Sequence, residues 1–206
     1  MQEFFNNAIF DKVFHGDLYH IKLCVILIAM ETITEKSCVH IYTGNGKGKT
    51  TAATGASLRF AGNGGKVLFV RFLKGRESGE IKLLKEVGVT VLEQEGLDKF
   101  YSAMDDTEKE RCLFLTQKNY SFALEHHKDF GMIVLDECGA ALKHGLLKVS
   151  DITELIFTCR KSFTELILTG RDFPEELKNA CDYLTEMQAV KHPYSTGLKA
   201  RKGIEY

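Results

Sequence analysis

The chain has 206 residues, 44% of them hydrophobic and 27% charged, a composition that builds one sizeable core and excludes a disordered or fibrous protein. A formal net charge of −1 provides no basic field for nucleic acid or an acidic membrane, so any anion must be gripped locally. The six cysteines (Cys24, Cys38, Cys112, Cys138, Cys159 and Cys181) show neither CxxC spacing nor a zinc-like Cys/His grouping, and read as reduced, mostly buried small hydrophobes of a cytoplasmic protein.

Residues 1–29 read as an N-terminal extension, and 30–206 as a single domain. The apolar run LCVILIAM (23–30) is far short of the ~20 residues that span a bilayer. The stretch before it has no clean basic region and no small-residue cleavage site, which disfavours a secretory leader. Met30 opens a natural protein start; the alternative is a short amphipathic helix in the extension that packs on the domain or a partner.

From residue 38 the chain alternates short apolar runs with longer amphipathic ones. CVHIYT (38–43) is a buried strand ending at a glycine-rich loop, and Lys49 to Ala61 is a helix whose small residues Ala52, Ala53 and Ala56 allow close packing on a sheet. Gly62 to Gly65 stops it. KVLFVRFL (66–73) is a second strand, GEIKLLKEV (79–87) a short helix and VTVLEQ (89–94) a third strand. Asp105 to about His127 is helical, with acids early and His126, His127 and Lys128 late, which suits the helix dipole. MIVLDE (132–137) is a strand ending in two carboxylates. A helix over 151–162, capped by Ser150 or Asp151, precedes the strand ELILTG (165–170). Pro174 with Glu175 and Glu176 opens another helix, and YLTEMQAV (183–190) is the last strand. This alternation predicts an α/β fold with a mostly parallel sheet and helices on both faces.

The chemistry starts at TGNGKGKTT (43–51). The phosphate-loop pattern GxxxxGK[ST] needs its first glycine at 43; Thr43 stands there, with glycines at 44 and 46. The strand before and helix after are both in place, which disfavours the bland alternative of a glycine-rich turn with solvated lysines. Gly44, Asn45, Gly46, Lys47, Gly48, Lys49, Thr50 and Thr51 are therefore the candidate nucleotide-binding residues. Their backbone N–H groups form a nest for phosphate oxygens, reinforced by the helix N-terminus, and Lys49 adds a full charge. The Thr50 hydroxyl is placed for Mg²⁺. Asp136 and Glu137, at the carboxyl end of a buried strand, are the matching acids, a metal pair with Thr50 in a P-loop NTPase-type site. Cys138 follows them and reads as packing rather than chemistry. Spacing alone does not say whether the triphosphate is hydrolysed, passed to an acceptor or used otherwise.

The remaining sequence resembles the P-loop ATP:corrinoid adenosyltransferase family. The likeness runs through TGNGKGKTTAA with its Thr43 departure, Phe72-Leu73-Lys74-Gly75, Gly79-Glu80, VLDE, Leu168-Thr169-Gly170-Arg171 and Pro174-Glu175-Glu176-Leu177. It closes with Thr185-Glu186-Met187, Val190-Lys191-His192-Pro193, Gly197, Ala200 and Gly203-Ile204-Glu205-Tyr206, covering about residues 38–206. The tail VKHPYSTGLKARKGIEY is its most specific part. The resemblance implies transfer of the 5′-deoxyadenosyl group of ATP to Co(I) of a corrinoid, cobalamin or a precursor, with triphosphate as leaving group. Lys49 and Glu137 are then the catalytic candidates, with Mg²⁺ on Thr50, Asp136 and Glu137 and ATP and corrinoid as substrates. A reduced flavoprotein is the implied electron partner; monomer and homodimer both stay open. Relatives often carry a Phe-x-Trp pattern in the loop after the third strand, where aromatics help displace the cobalt axial ligand. Here Lys99-Phe100-Tyr101-Ser102 occupies that stretch and the chain has no tryptophan, so Phe100 and Tyr101 are corrinoid-contact candidates, with loop anchoring the equal alternative. Arg71, where relatives carry Gln, and Phe173, where a small residue is common, depart less. Lys191, His192, Lys199, Arg201 and Lys202 read as a solvated cluster that the resemblance moves toward the nucleotide. An ATPase or kinase splitting the β–γ bond, and an inactive nucleotide- and corrinoid-binding module, are the competing readings.

Overall fold

The computed structural model describes residues 36–75, 78–193 and 197–204. The N-terminal extension lies outside these residues, as do Tyr194-Ser195-Thr196 and Glu205-Tyr206 of the tail motif.

Among the described residues six short strands and six helices follow in the order β1 (Val39–Thr43), α1 (Lys49–Gly62), β2 (Val67–Arg71), α2 (Gly79–Glu86), β3 (Thr90–Leu92), α3 (Asp106–Glu125), β4 (Met132–Asp136), α4 (Cys138–Lys143), α5 (Val149–Ser162), β5 (Glu165–Thr169), α6 (Glu175–Ala180) and β6 (Tyr183–Glu186). Single 3₁₀ turns occupy Tyr101–Ala103 and His127–Asp129. The strands form one sheet in the order β3-β2-β4-β5-β1-β6, and every pairing is parallel.

Every residue of β2 and β4 is buried, because a parallel sheet covered on both faces leaves no solvent side. Alternate residues serve the two faces. Leu68, Val70, Ile133, Leu135, Leu166 and Leu168 pack with α3, α5 and α6. Val67, Phe69, Met132, Val134 and Ile167 pack on the other face with Ala53 of α1 and Ile81 and Leu84 of α2. Burying a Leu or Ile side chain contributes roughly 1.5–3 kcal/mol, so this two-sided pattern holds the strand ends in place. All six carboxyl ends share one edge, and the loops at that edge make the site.

Helix termini follow local chemistry. Asp105 starts α3 through a capping box: its carboxylate accepts the Glu108 N–H (2.9 Å) while Glu108 accepts the Asp105 N–H (3.0 Å). Helix α5 begins two residues before the predicted 151, and Asp151 acts from inside its first turn, accepting the Lys148 N–H (2.8 Å). That corrects the expected cap at Ser150 or Asp151. Helix α4 was not visible in the sequence, because CGAALK is too short to display a period. Strand β6 ends at Glu186 rather than 190, since the chain there leaves the sheet to cross the glycine-rich loop.

Cys112, Cys138 and Cys159 are buried, Cys38 and Cys181 half-buried, and all five are free. Burial pushes the Cys138 thiol far above its ordinary range, as suits a packing residue. His126 pairs with Asp129 and His127 with the Leu124 carbonyl at the end of α3. Among the described residues no helix is long and apolar enough to cross a membrane.

Candidate nucleotide and cation site

The glycine-rich loop leaves β1 and enters α1 through Gly48, whose φ of 118° is left-handed and suits only glycine. Gly48 supplies no side-chain cap, so the first N–H groups of α1 keep the donors and positive dipole end that favour phosphate. Lys49 folds back over the loop, donating to the carbonyls of Gly44 (2.7 Å) and Gly46 (2.8 Å). Burial, and then the neighbouring Arg171 guanidinium, lower its pKa from the ordinary lysine value. A triphosphate offers this ammonium better partners than two neutral carbonyls.

Two of the loop glycines have a reason the motif did not suggest. The backbone of Met187 and Gln188 runs directly against the loop. A Cβ on Gly44 would strike the Met187 carbonyl, and one on Gly46 would lie 2.6 Å from it. The Gly46 N–H donates to Met187 O (2.6 Å), so this amide faces the tail rather than a phosphate. Thr43 is still strand, paired with Glu186 of β6, and its carbonyl accepts the Met187 N–H (2.9 Å). That explains the missing first glycine: the chain has not yet begun to turn. The Asn45 side chain accepts the Ala189 N–H (3.0 Å), and Lys47 donates to the Ile204 carbonyl (2.9 Å). Thr51 is exposed in the first turn of α1. The tail thus straps the loop with backbone as well as charge.

On the other side of the loop stands a dense polar cluster. Thr50 Oγ1 donates to Asp136 Oδ1 (2.9 Å), as does Thr169 Oγ1 from β5 (2.7 Å), and Thr169 accepts the Glu137 N–H (3.0 Å). Lys74, on the loop after β2, donates to Asp136 Oδ2 (2.9 Å) and Thr50 Oγ1 (3.0 Å), with Glu137 Oε1 at 3.3 Å. Asp136 is fully buried. Burial alone would raise its pKa, but the Lys74 ammonium and the hydroxyls of Thr169 and Thr50 outweigh that and hold it below the usual aspartate range. Lys74 is the converse: burial opposes its charge, and the two carboxylates raise its pKa nonetheless. Glu137 has a left-handed backbone, φ 61°, which costs a non-glycine residue about 1–3 kcal/mol, the kind of strain that clusters at functional sites.

Beside the loop opens a cavity of about 550 Å³ lined by Thr43, Gly44, Asn45, Arg171, Glu186 and Val190, among others. The structure therefore brings together Gly44 through Thr50 with Asp136 and Glu137. It adds three residues that the sequence reading did not assign to the site: Lys74, Thr169 and Arg171. Each lies just at or past the end of a strand on the carboxyl edge, the one signal that would have found them. Phe100 and Tyr101 separate. Phe100 is 85% exposed, while Tyr101 packs on His144 with ring centroids 4.4 Å apart and so anchors its loop. Arg71 is buried and donates to Glu93 (2.8 Å); Phe173 is buried in the core.

Fold and loop together define a P-loop nucleotide-binding protein of the α/β class. The family model described as ATP:corrinoid adenosyltransferase BtuR/CobO/CobP matches residues 35–206, and the chain belongs to that family. It is 30% identical over 175 residues to a corrinoid adenosyltransferase of a Sinorhizobium species, covering 84% of this chain and 81% of the relative. Identity is 32% over 173 residues to that of Pseudomonas aeruginosa (84% and 85%), and 30% to the corrinoid adenosyltransferase CobA of Salmonella typhimurium (84% and 87%). A crystal structure of the RadB recombinase aligns over 77% of both chains at 17% identity and a TM-score of 0.43, a likeness too low to carry an argument.

Proposed function

We propose that the site described above carries out the family's reaction, ATP-dependent adenosylation of a corrinoid, with residues 30–206 as the catalytic domain. The observation that carries this reading is the cluster around Asp136: a P-loop threonine, two strand-end carboxylates and three cations (Lys49, Lys74 and Arg171) converge where a triphosphate would end. Co(I) attacks C5′ of the ribose, the C5′–O bond breaks, and its electron pair leaves with the triphosphate. Cobalt in this state is itself a strong nucleophile, so no side chain has to activate one. The protein's work is alignment of C5′ with the metal of the corrinoid substrate and stabilisation of charge on the departing oxygens. Lys49 and the free N–H groups of α1 bind the triphosphate, and the cavity beside Gly44 and Arg171 takes the rest of the nucleotide.

Thr50, Asp136 and Glu137 fit Mg²⁺: they are a hard oxygen donor set, and the cage they form already holds a cation, the Lys74 ammonium. When bound, Mg²⁺ would neutralise charge developing on the leaving triphosphate. Phe100, exposed in the segment after β3, is the corrinoid-contact candidate. Tyr101 acts behind it as an anchor. A reduced flavoprotein supplies the electron that makes Co(I), and the reduced thiols suit a cytoplasmic enzyme.

The test is an anaerobic reaction of Mg-ATP with chemically reduced cob(I)alamin. Formation of a photolabile adenosylated corrinoid with one triphosphate released per turnover is expected. ADP and phosphate without cobalt alkylation would overturn the reading in favour of an ATPase.

A further inference from the structure

We infer that Lys74 is a built-in substitute for the divalent cation, filling its position in the nucleotide-free protein and moving onto the triphosphate when the ion arrives. The inference rests on the proposal that Thr50, Asp136 and Glu137 ligate Mg²⁺.

The first observation is position. The Lys74 ammonium lies within 3.3 Å of an oxygen from each of those three residues, so it and a metal ion cannot occupy the cage together. A fully buried Asp136 carboxylate needs a counter-charge, and the Lys74 ammonium touches it at 2.9 Å.

The second observation is how firmly the chain aims this side chain. The Phe72 N–H donates to the Asp136 carbonyl (3.0 Å), continuing the β2–β4 ladder past the end of β2. Leu73 then adopts a left-handed backbone, φ 56°, a conformation that is costly for a branched residue. It is held there by the buried Gln94, which accepts the Leu73 N–H (2.7 Å) and donates to Thr116 (2.6 Å). On the far side the Gly75 N–H donates to Leu97 O (3.1 Å), and a Cβ on Gly75 would strike that same carbonyl. A strained residue, a buried amide clamp and a close backbone approach together direct one lysine into the cage. A solvated surface lysine would require none of them.

The third observation concerns where the ammonium goes. Its distance of 3.0 Å to Thr50 Oγ1, the first-turn residue of the phosphate-binding helix, puts phosphate oxygens in that loop within a side-chain rotation. A flexible four-carbon stem with three donors suits such a transfer. Lys49 makes a parallel contact, donating to the loop carbonyls of Gly44 and Gly46. Lys74 is thereby a phosphate-binding residue of the loaded state and a placeholder in the empty one.

The experiment measures Mn²⁺ affinity of the nucleotide-free protein, and separately the affinity for inorganic tripolyphosphate, in the full chain and in Lys74→Met and Lys74→Gln. The glutamine variant keeps a hydrogen-bond donor for Asp136 if the methionine variant folds poorly, and the exposed Lys82→Met serves as control. With the ammonium gone, Mn²⁺ should bind at least about tenfold more tightly, and tripolyphosphate about tenfold or more weakly, the ratio one charge-assisted hydrogen bond supplies. Unchanged Mn²⁺ affinity in both variants overturns the placeholder role; unchanged tripolyphosphate affinity overturns the transfer. If the ligand assignment itself is wrong, Thr50→Ala will leave Mn²⁺ binding in the Lys74 variants untouched, an outcome separate from either of these.

Discussion

Asp136 is the residue on which the site turns, because it is fully buried and charged. Its partners are unequal. Lys74 supplies charge, Thr50 supplies the link to the phosphate loop, and Thr169 holds both the carboxylate and the Glu137 amide. Thr169→Val preserves shape but leaves the half-buried Glu137 amide without its acceptor and Asp136 short of a donor. A loss of about 1–3 kcal/mol in stability is expected by urea denaturation, with weakened nucleotide binding because the turn at Glu137 loosens. Phe100 is the opposite kind of residue. Since its ring lies in solvent, Phe100→Ala should change stability by no more than about 0.5 kcal/mol. Its expected effect is kinetic: slower reaction starting from Co(II), with little change when Co(I) is supplied, measured by stopped-flow absorbance. A loss of stability in place of that kinetic effect would make Phe100 a packing residue.

Among the elements, the loop and the segment after β6 act as one unit. Gly46→Ala forces a Cβ into the Met187 and Gln188 backbone, so the loop or the tail segment must shift. Overpacking of this kind costs about 1–3 kcal/mol, and the variant should show faster limited proteolysis of the tail as well as lower thermal stability. The same substitution at Gly55, around which a Cβ meets open space, should be neutral or slightly stabilising, since alanine is the better helix former. Helix α3 depends on its N-terminus for a different reason. Asp105→Ala removes half of a capping box and should cost about 1 kcal/mol, read as a lower denaturant midpoint with an unchanged slope.

Among the described residues the candidate site lies along one edge because all six strands run the same way. β1 sits between β5 and β6, so the phosphate loop has the Asp136 cluster on one side and the tail on the other. The opposite edge carries an electrostatic clasp of its own. Asp182, just before β6, accepts the Val39 N–H (2.8 Å) and pairs with Arg160 (3.1 Å). Burial opposes its charge, but the Val39 amide and Arg160 outweigh that and hold its pKa below the ordinary 3.8. A carboxyl depressed in the folded state contributes stability that is complete above its ordinary value and is lost as pH falls through the lower folded value. The stability of the protein should therefore fall with acidification below about pH 4, and Asp182→Asn should flatten that fall, measured by thermal melts across pH 2–5. Stability near neutral pH should drop in the same variant, since the weaker acceptor remains uncharged.

The sequence by itself determined the fold class and pointed to the heart of the candidate site. Buried strands announce themselves as apolar runs, and helices as amphipathic stretches with caps. A phosphate loop needs glycines, a lysine and a hydroxyl next to one another, so TGNGKGKTT and the acids of VLDE were legible without coordinates. Short elements were not: α4 is under two turns long, and its six residues carry no period. Nor were residues whose role comes from the order of strands. Lys74 follows β2, while Thr169 ends β5 and Arg171 comes just after it, and only the arrangement β2-β4-β5-β1 gathers them beside the phosphate loop and Asp136. Likewise Gly44 and Gly46 look like phosphate residues in sequence, while in space they make room for Met187. Sequence records which groups a chain possesses; proximity between groups over a hundred residues apart, as with Gly46 and Met187, is set by how the sheet is ordered.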